Sequence, residues 1–557
     1  MKTGVEMRFG IEDVTAKEDA TLSSSPAKPF SNLLQLHDDE QKIKKWGTAE
    51  GAGILLDGTN LLFPNEPENE FMGFWSIDQT DEEGLFAVRP ELEIHFTGPH
   101  SSLGLTLTFS ESSMEWASKI TAKWFDGAGD LLAEKEFAPD APTFFLDNIV
   151  EEYYKIHLSF HGTNRPFHWL KITGIRYGIL RILGDEELTA ARVLEETSIL
   201  SDEVRVNTLS FSFYNQDGEF DLLGLSGAFA LFQQRQEVEV TAHIDGVPLF
   251  IGMYYLAKVK TISGEVQISC TDLIGAIENA EYLGGLWRTG IAAGTLIAEI
   301  MAAAGTSDLY ELDAVYESAL VKGYLPISSP REALQQVAFV LGATVNCARS
   351  NKIMITAPAT EVRQTVDLSD KVSGHTLEQS DLVTGVEVYS YEYYNQFNSS
   401  DISREMREIG DHLVRFGTPS SSLSCVGAAI IDSGVNFALL RVTTPGEVTL
   451  SGRPYQSAKR LAGSVHMVDL PAHAKANVFT SEDCTLTVDP QALAQRIYDY
   501  KRLRITENGS YFPLTWTPGD KVQVQQSNGS ALTGFVSSLD INLFDGLIAK
   551  VEVVGGA

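Results

Sequence analysis

Alternation of apolar and polar residues at every second position is the feature that most constrains the fold of this 557-residue chain. The alternation is seen in stretches such as LEIHFTGP, LGLTLTFS and KITAKWF. Turn dipeptides separate such stretches, for example Asp126-Gly127 after KITAKWF and Asp245-Gly246 after EVEVTAHI. Side chains on a strand point alternately to the two faces of a sheet, so this period predicts half-buried antiparallel strands joined by hairpins. We therefore expect a mainly β protein.

Two segments change to a helical period. Residues 292–304 place apolar side chains at helical spacing and end at Gly305, and residues 330–341 begin after Ser329 and end at Gly342. A serine followed by proline at the start, and glycine just past the end, are typical boundaries of helices. These segments predict an α+β insert within the β-rich chain, followed by a hairpin that turns near residues 349–351.

The chain is longer than one hydrophobic core usually supports, so several domains are expected. The predicted segments are a polar N-terminal arm or linker at 1–30, a carbohydrate-binding-like antiparallel β-sandwich at 31–185, a first β-barrel at 186–283, the α+β insert at 284–360, a β-rich domain at 361–480, and C-terminal strands that complete a second barrel at 481–557.

One internal similarity suggests that the barrel is duplicated. QEVEVTAHIDGVPLFIGMYYL followed by GEVQISC resembles DKVQVQQSNGSALTGFVSSL followed by GLIAKVEVVG. Each contains a V-x-V strand, a turn, a strand that carries Gly252 or Gly534, and a return strand. The spacing differs by two residues between the copies, so the similarity is approximate, and it predicts two copies of one small barrel.

Charge and apolar patterning exclude several classes of protein. The chain has 75 acidic against 42 basic residues, whereas nucleic-acid binders need clustered cations, so specific nucleic-acid binding is not expected. No run of about 18 apolar residues occurs, and the N-terminus lacks the apolar stretch of a signal peptide. We expect no membrane span and synthesis in the cytoplasm. The four cysteines lack CxxC spacing and are interpreted as reduced core thiols.

The sequence shows none of the motifs expected of an enzyme of this size. HExxH, GxSxG, Walker A and GxGxxG patterns are absent. His157, His161 and His168 lie closest together, but ordinary surface or core histidines explain them better than a metal site. We predict no catalytic residues, no cofactor and no metal, and interpret the chain as a non-enzyme.

Aromatic residues of the first sandwich are the best candidate binding site. Flat aromatic faces can stack on pyranose rings while nearby acids and amides supply hydrogen bonds. The candidate carbohydrate contacts are Trp116, Trp75, Trp169 and Tyr153. Packing in the core is the alternative for each of them, and Trp116, which lies between strands, is the one most expected to be exposed.

The second block of the chain resembles the hub proteins of bacteriophage tails, within the tail-tip and baseplate hub superfamily. The resemblance lies in YNQDGEFDLL, PLFIGMYYL and ISCTDLIGAIE, followed by AGTLIAEIMAAAG and GYLPISSPREALQQVAFVLGATVNCARSNKIMI. It covers roughly residues 186–557. The region before it, with ITAKWFDGAGDLLAEKEF and NRPFHWLKITGIRYG, resembles a discoidin-like or carbohydrate-binding sandwich of phage tail proteins. About 185 residues ahead of the barrel depart from the common hub plan.

The resemblance implies a virion tail protein that joins the tail tube to the distal host-attachment apparatus. It implies a homo-oligomer, a trimer, in which two barrels per chain make six similar units and contact other tail and baseplate proteins. A second hypothesis is a receptor-binding tail protein whose sandwich recognises host cell-wall polysaccharide. A third is a tail-associated cell-wall hydrolase.

Overall fold

A computed structural model describes most of the chain. The described residues are 3–12, 14–28, 31–37, 50, 72–110, 114–214, 236–262, 264–372, 374–469, 476–481, 485–512, 515–544 and 546–556. Strands predominate and helices are few and short, so the prediction of a mainly β fold with an α+β insert is confirmed.

Nine strands and two short helical segments come first in the chain. They are β1 (Thr3–Glu12), α1 (Val14–Asp19), β2 (Thr21–Ser25), a 3-10 helix (Leu33–His37), β3 (Phe74–Trp75), β4 (Glu91–Phe109), β5 (Ala117–Phe125), β6 (Leu131–Phe137), β7 (Thr143–Thr163), β8 (Lys171–Arg176) and β9 (Gly178–Leu183).

Strands β2 to β8 form the N-terminal sandwich region. Its strands pair antiparallel in the order β3-β8-β4-β7-β5-β6, with β2 added to β4. All seven strands belong to one hydrogen-bonded sheet, and its long strands β4 and β7 contain register shifts. Leu107, Trp124 and Ile156 are among the buried residues of its core.

The first described segment corrects the prediction of an N-terminal arm at 1–30. β1 pairs antiparallel with β9, so that Glu12 lies opposite Gly178, and it continues into a larger sheet on its other side. Alternation buries Val5 and Met7, which is why β1 is a strand of the folded body. The sandwich region is therefore inserted between two neighbouring strands of one sheet.

The next five strands form the first copy of the duplicated element. They are β10 (Leu188–Glu196), β11 (Thr208–Tyr214), β12 (Glu237–Ile244), β13 (Val247–Ile262) and β14 (Glu265–Thr271), and we call β10 to β14 unit A. Asp245 and Gly246 both have positive φ between β12 and β13, as a two-residue hairpin turn requires, and this predicted turn is confirmed.

The insert follows unit A. It contains α2 (Leu273–Ala276), a 3-10 turn (Ile277–Asn279), β15 (Gly285–Ala292), α3 (Ala293–Ala303), β16 (Tyr310–Leu312), α4 (Ala314–Glu317), β17 (Leu320–Leu325), α5 (Pro330–Leu341), β18 (Thr344–Asn346) and β19 (Ile353–Thr356). Both predicted helices are confirmed. Ser329 and Glu332 form a capping box at the start of α5, and Gly342 ends that helix in the left-handed conformation.

The β-rich region after the insert contains strands of several sheets. They are β20 (Gln364–Val366), β21 (Thr376–Gln379), β22 (Gly385–Asn395), β23 (Ser400–Arg407), β24 (Gly410–Arg415), β25 (Ser420–Val426), β26 (Ala429–Ser433), β27 (Phe437–Val442), β28 (Gly446–His466), β29 (Val478–Ser481) and β30 (Leu486–Thr487), with a 3-10 turn at Leu368–Asp370. β22 to β29 form a five-stranded and a three-stranded sheet of their own.

The chain ends with a helix and four strands. They are α6 (Pro490–Lys501), β31 (Ile505–Tyr511), β32 (Lys521–Gln525), β33 (Ala531–Asn542) and β34 (Ala549–Gly556). We call β21 and β31 to β34 unit B. Units A and B belong to one 13-stranded sheet, in the order β21-β31-β34-β33-β10-β11-β14-β13-β12-β1-β9, with β32 paired to β33 and β20 paired to β32. The two units share one connected apolar core. The predicted two barrels are thus two units of a continuous sheet.

Candidate functional site at the junction of the two units

Units A and B have the same strand plan. In unit A a row of four cross-strand neighbours runs from β10 to β13, and in unit B the equivalent row runs from β21 to β33. The rows are Val193, Leu209, Cys270 and Leu256 in unit A, and Leu377, Glu507, Val553 and Val536 in unit B. The duplication predicted from the sequence is therefore visible in the strand pairing.

Details of the backbone repeat as well. A β-bulge follows Leu256 in β13, and an equivalent bulge follows Val536 in β33. The Leu256 N–H donates to the Gln236 carbonyl at 2.8 Å, and the Val536 N–H donates to the Asp520 carbonyl at 3.0 Å. Equivalent bulges at equivalent positions indicate a shared local twist of the two units.

The register corrects one part of the sequence similarity. The first valine of each V-x-V strand pairs with Tyr254 in unit A and with Gly534 in unit B, so Gly534 matches Tyr254 and not Gly252. A side chain at Gly534 would lie 2.4 Å from the Val554 carbonyl oxygen, so that glycine allows β33 and β34 to approach closely.

A single strand pair joins the two units within the described chain. β10 of unit A pairs antiparallel with the second half of β33 of unit B, from Arg192 opposite Asn542 to Glu196 opposite Ser538. On one face of this junction the Arg192 guanidinium donates to both carboxylate oxygens of Asp540, and the carboxylate raises the pKa of Arg192. The charge pair fixes the register on this face.

The opposite face of the junction is buried. Val193 and Leu539 are fully buried, and Ile541 is only 4% exposed. Glu195 lies among them with Arg349 3.4 Å away, and burial raises the pKa of this carboxyl while the nearby guanidinium lowers it. The paired backbones of β10 and β33 therefore join the two units, with a charged pair on one face of the junction and mainly apolar side chains on the other.

A groove of about 640 Å³ lies over the junction on the Arg192 face. Its lining combines apolar residues, among them Phe211 and Ile268, with polar side chains such as Ser210, Gln267 and Asn542. The described lining contains one carboxylate, Asp540, and neither histidine nor cysteine. The charged side chains of the described lining are Arg192, Asp540 and Lys550.

The four aromatic residues predicted to contact carbohydrate are not equally accessible. Tyr153 is fully buried, edge-on to Phe96, and Trp75 is 3% exposed with its indole N–H donating to the Met72 carbonyl at 2.9 Å. Both side chains therefore belong to the core, and this corrects the expectation that they could meet a ligand directly. β3 buries both of its residues, Phe74 and Trp75, and Tyr153 is buried at an irregular part of β7 that follows Glu152, whose φ is positive.

Trp116 and Trp169 are half-buried and remain candidate contacts. Trp169 lies beside Trp75 with ring centres 6.2 Å apart, and the Lys28 ammonium sits 5.1 Å from the Trp169 ring. Trp116 does not join this pair. Its backbone N–H and carbonyl instead bond to Asn164. The structure thus brings two of the four predicted aromatic residues together.

A buried charge cluster supports the Trp75 and Trp169 pair, and no sequence motif indicates it. The Lys171 ammonium bonds to Glu50 and, at 2.8 Å, to Glu115, and lies 4.8 Å from the Trp75 ring. All three charged side chains are under 10% exposed. The Trp169 backbone N–H also donates to Glu50 at 2.7 Å, so the cluster fixes the position of this indole.

Neither a group of metal-ligating side chains nor a membrane-spanning helix occurs among the residues that the structure describes. Within the described ranges, no three histidine, cysteine, aspartate or glutamate side chains are grouped as a metal site would require. His161 instead bonds to the Thr121 hydroxyl at 2.7 Å. None of the helices in the described part of the chain has the length and apolar character needed to span a bilayer.

Comparisons with known proteins identify similar folds among solved structures only. No protein-family model and no curated protein matches the sequence. The chain is similar to the tail protein from Neisseria meningitidis MC58, with 10% identity, a TM-score of 0.39, and coverage of 66% of this chain and 92% of that one. It is also similar to the 43 kDa tail protein of prophage MuSo2 from Shewanella oneidensis, with 12% identity, a TM-score of 0.39, and coverage of 67% and 96%.

A third similar structure is the prophage tail protein gp18 from Listeria monocytogenes EGD-e. It is 7% identical over 68% of this chain and 92% of that one, with a TM-score of 0.40.

Proposed function

We propose that this chain is a structural component of a bacteriophage tail or phage-like particle, a baseplate hub or tail-tip protein. It joins the tail tube to the distal host-attachment apparatus and contacts other tail and baseplate proteins. It is made in the host cytoplasm and resides in the virion tail. The order of sequence elements from YNQDGEFDLL to NKIMI, which resembles phage hubs, supports this proposal.

The observation that carries the proposal is the tandem arrangement of units A and B in one sheet. Two copies of one unit are joined side by side by the strand pair β10 and β33, in one continuous order of strands. Repeated elements with the same contact between neighbours close into a ring when the rotation permits. Three chains would supply six units around one axis, so we propose a homotrimer.

A non-enzymatic role fits the chemistry of the junction groove. Its described lining holds one carboxylate, Asp540, which is already bonded to Arg192. Hydrolysis of a glycosidic bond needs two carboxyl groups on either side of the bond, and the groove lacks the second. We assign no catalytic residue and no cofactor.

The test of the tail function is the assembly state and location of the full chain. Its mass in solution should be three times that of one chain, and negative-stain images should show a ring. Antibodies against the chain should label the distal end of tails. Labelling of capsids, or no labelling of intact particles, would contradict the proposal.

A second candidate function is recognition of host cell-wall polysaccharide by the N-terminal region. The half-buried Trp169, held against Trp75 and beside the Lys28 ammonium, offers an aromatic face next to hydrogen-bonding groups. Purified wall polysaccharide should bind the full chain, and Trp169→Ala should weaken that binding. Equal binding by the parent chain and the variant would remove Trp169 from the proposal.

Cell-wall hydrolysis is the remaining alternative from the sequence, and zymography on peptidoglycan tests it. A clear zone produced by the purified chain would overturn the non-enzyme assignment.

A further inference from the structure

We propose that β21 of one copy of this chain pairs antiparallel with residues 258–262 of β13 in a second copy. Each of these two sheet edges is thus covered by the other edge, which belongs to a neighbouring copy of the chain. This inference rests on the proposed ring-forming function and adds the interface and its register.

The junction between the units inside one chain is the template. There, the edge strand of unit A, β10, pairs with the second half of β33 in unit B. β21 is the equivalent of β10 in the repeat. β21 is the outer strand beside β31 in unit B, and β10 is the outer strand beside β11 in unit A. It makes residues 258–262 the equivalent of 538–542, because both follow the equivalent bulges.

Both proposed partners are open edges within the described part of the chain. β21 is the end of the 13-stranded sheet and pairs with β31 alone. Residues 258–262 pair with β14 on one side, while β12 pairs only with the first half of β13, up to Tyr255. Unpaired strand edges present backbone donors and acceptors that another strand can satisfy.

The template also fixes the register. Val193 lies opposite Ile541 in the internal junction. Leu377 is the equivalent of Val193, and Thr261 is the equivalent of Ile541, since each lies five residues beyond the bulged leucine or valine. The proposed register therefore places Leu377 opposite Thr261, Glu378 opposite Lys260, and Thr376 opposite Ile262.

Side chains at the internal junction of β10 and β33 are more buried than their equivalents on the unpaired edges of β21 and β13. Val193 is fully buried between the two units, whereas its equivalent Leu377 is 55% exposed. Ile541 is buried, whereas its equivalent Thr261 is only partly covered. Pairing with a neighbour would bury Leu377 against Val259 and Thr261, in the way that Val193 is buried against Leu539 and Ile541.

Charge complementarity supports the same register. Glu378 of β21 would lie directly opposite Lys260, with Lys258 one diagonal step away, and all three side chains are exposed. The internal junction instead uses Arg192 on the edge strand and Asp540 on β33. The sign of the charges is reversed between the two junctions, so each edge strand prefers its own partner.

Charge reversal of the full chain tests the interface. Glu378→Lys places like charges opposite each other and should weaken self-association about tenfold. Lys260→Glu should have a similar effect, and the two substitutions together should restore the association of the parent chain. Analytical ultracentrifugation over a concentration series measures all three.

The matched control is Glu134→Lys, which reverses an exposed glutamate on β6, an edge strand of the sandwich region. It should leave self-association unchanged. A loss equal to that of Glu378→Lys would indicate a general charge effect and would overturn the proposed interface.

Engineered cysteines test the register directly. Thr376→Cys with Ile262→Cys places the two thiols on directly opposite residues of neighbouring chains, so mild oxidation should give covalent oligomers. Thr376→Cys with Lys258→Cys places them four residues out of register and should not cross-link. The parent chain, oxidised in the same way, controls for its natural cysteines.

The outcomes separate the interface from the function. A parent chain that forms a ring while neither the charge reversals nor the in-register cysteines have an effect would overturn this interface and leave the tail function standing. A parent chain that stays monomeric at every concentration would overturn both.

Discussion

Arg192 on β10 and Asp540 on β33 bond to each other across the strand pair that joins the two units of the sheet. The two residues are 348 positions apart in the chain. Their contact therefore links β10, the first strand of unit A, with β33 of unit B, and the Arg192 side chain is exposed there.

The Arg192 side chain is 61% exposed, so solvent screens much of this attraction. We expect Arg192→Ala to lower the free energy of unfolding by about 0.5 to 1 kcal/mol. Urea unfolding of the two single variants and the double variant with Asp540→Ala should give a coupling energy of the same size. A coupling energy of zero would show that the bidentate geometry adds nothing to the junction.

Val193 and Leu377 occupy equivalent positions but differ in burial, which gives a matched pair of substitutions. Val193→Ala should lower the free energy of unfolding by about 2 kcal/mol, because it leaves a cavity in the sealed junction. Leu377→Ala should change the stability of the dissociated chain by no more than about 0.5 kcal/mol. Equal losses in denaturant unfolding of the dissociated chain would mean that β21 is already covered there.

Asp272 should give the fold a pH dependence. Its carboxylate caps α2 and accepts from the Asn207 N–H at 2.9 Å and the Gly275 N–H at 3.1 Å. Burial nevertheless raises the pKa of Asp272 from 3.8 to about 7. A raised carboxyl pKa favours the protonated folded state, so its contribution is complete below about pH 4 and is lost as the pH rises towards 7.

The loss attributable to Asp272 is at most about 4 kcal/mol across this range. Asp272→Asn cannot titrate, so its stability should fall less than that of the parent chain between pH 4 and pH 7. Urea midpoints at several pH values measure the difference. Parallel curves for the two proteins would show that Asp272 has an ordinary pKa in the folded state.

Lys171 should be essential to the N-terminal region because it neutralises two buried carboxylates. Lys171→Met leaves Glu50 and Glu115 without their shared cation, and we expect a loss of about 3 to 5 kcal/mol. Lys119→Met, which removes an exposed partner of Glu136 at 2.8 Å, should have a much smaller effect, because solvent screens that pair. Thermal unfolding compares the two variants, and similar melting temperatures would contradict the role of Lys171.

Local signals in the sequence predicted the elements that depend on local chemistry. Ser329 and Gly342 bound α5 as expected because capping involves neighbouring residues only. The V-x-V strands were matched correctly, but the glycines were not, because β12 and β13 pair over a longer stretch, with a register shift after Val240, than β32 and β33 do. Strand register depends on pairing, which a single sequence does not reveal.

Long-range contacts account for the predictions that differed from the structure. Polar residues at the end of segment 1–30 led to the prediction of an arm. In the structure β1 pairs with β9 and β12, which come from distant parts of the chain. Trp75 and Tyr153 have the composition of a sugar site, but their strand faces point into the core. The partners Arg192 and Asp540 carry no motif, so only the paired strands identify them.

The insertion of the N-terminal region between β1 and β9 has a mechanical consequence. Two polypeptide connections, which leave the sheet side by side at Glu12 and Gly178, hold this region. A body suspended from two adjacent anchors cannot swivel freely as one on a single tether can. Force applied to this region would therefore enter the sheet through both β1 and β9, whose backbone hydrogen bonds would share the load.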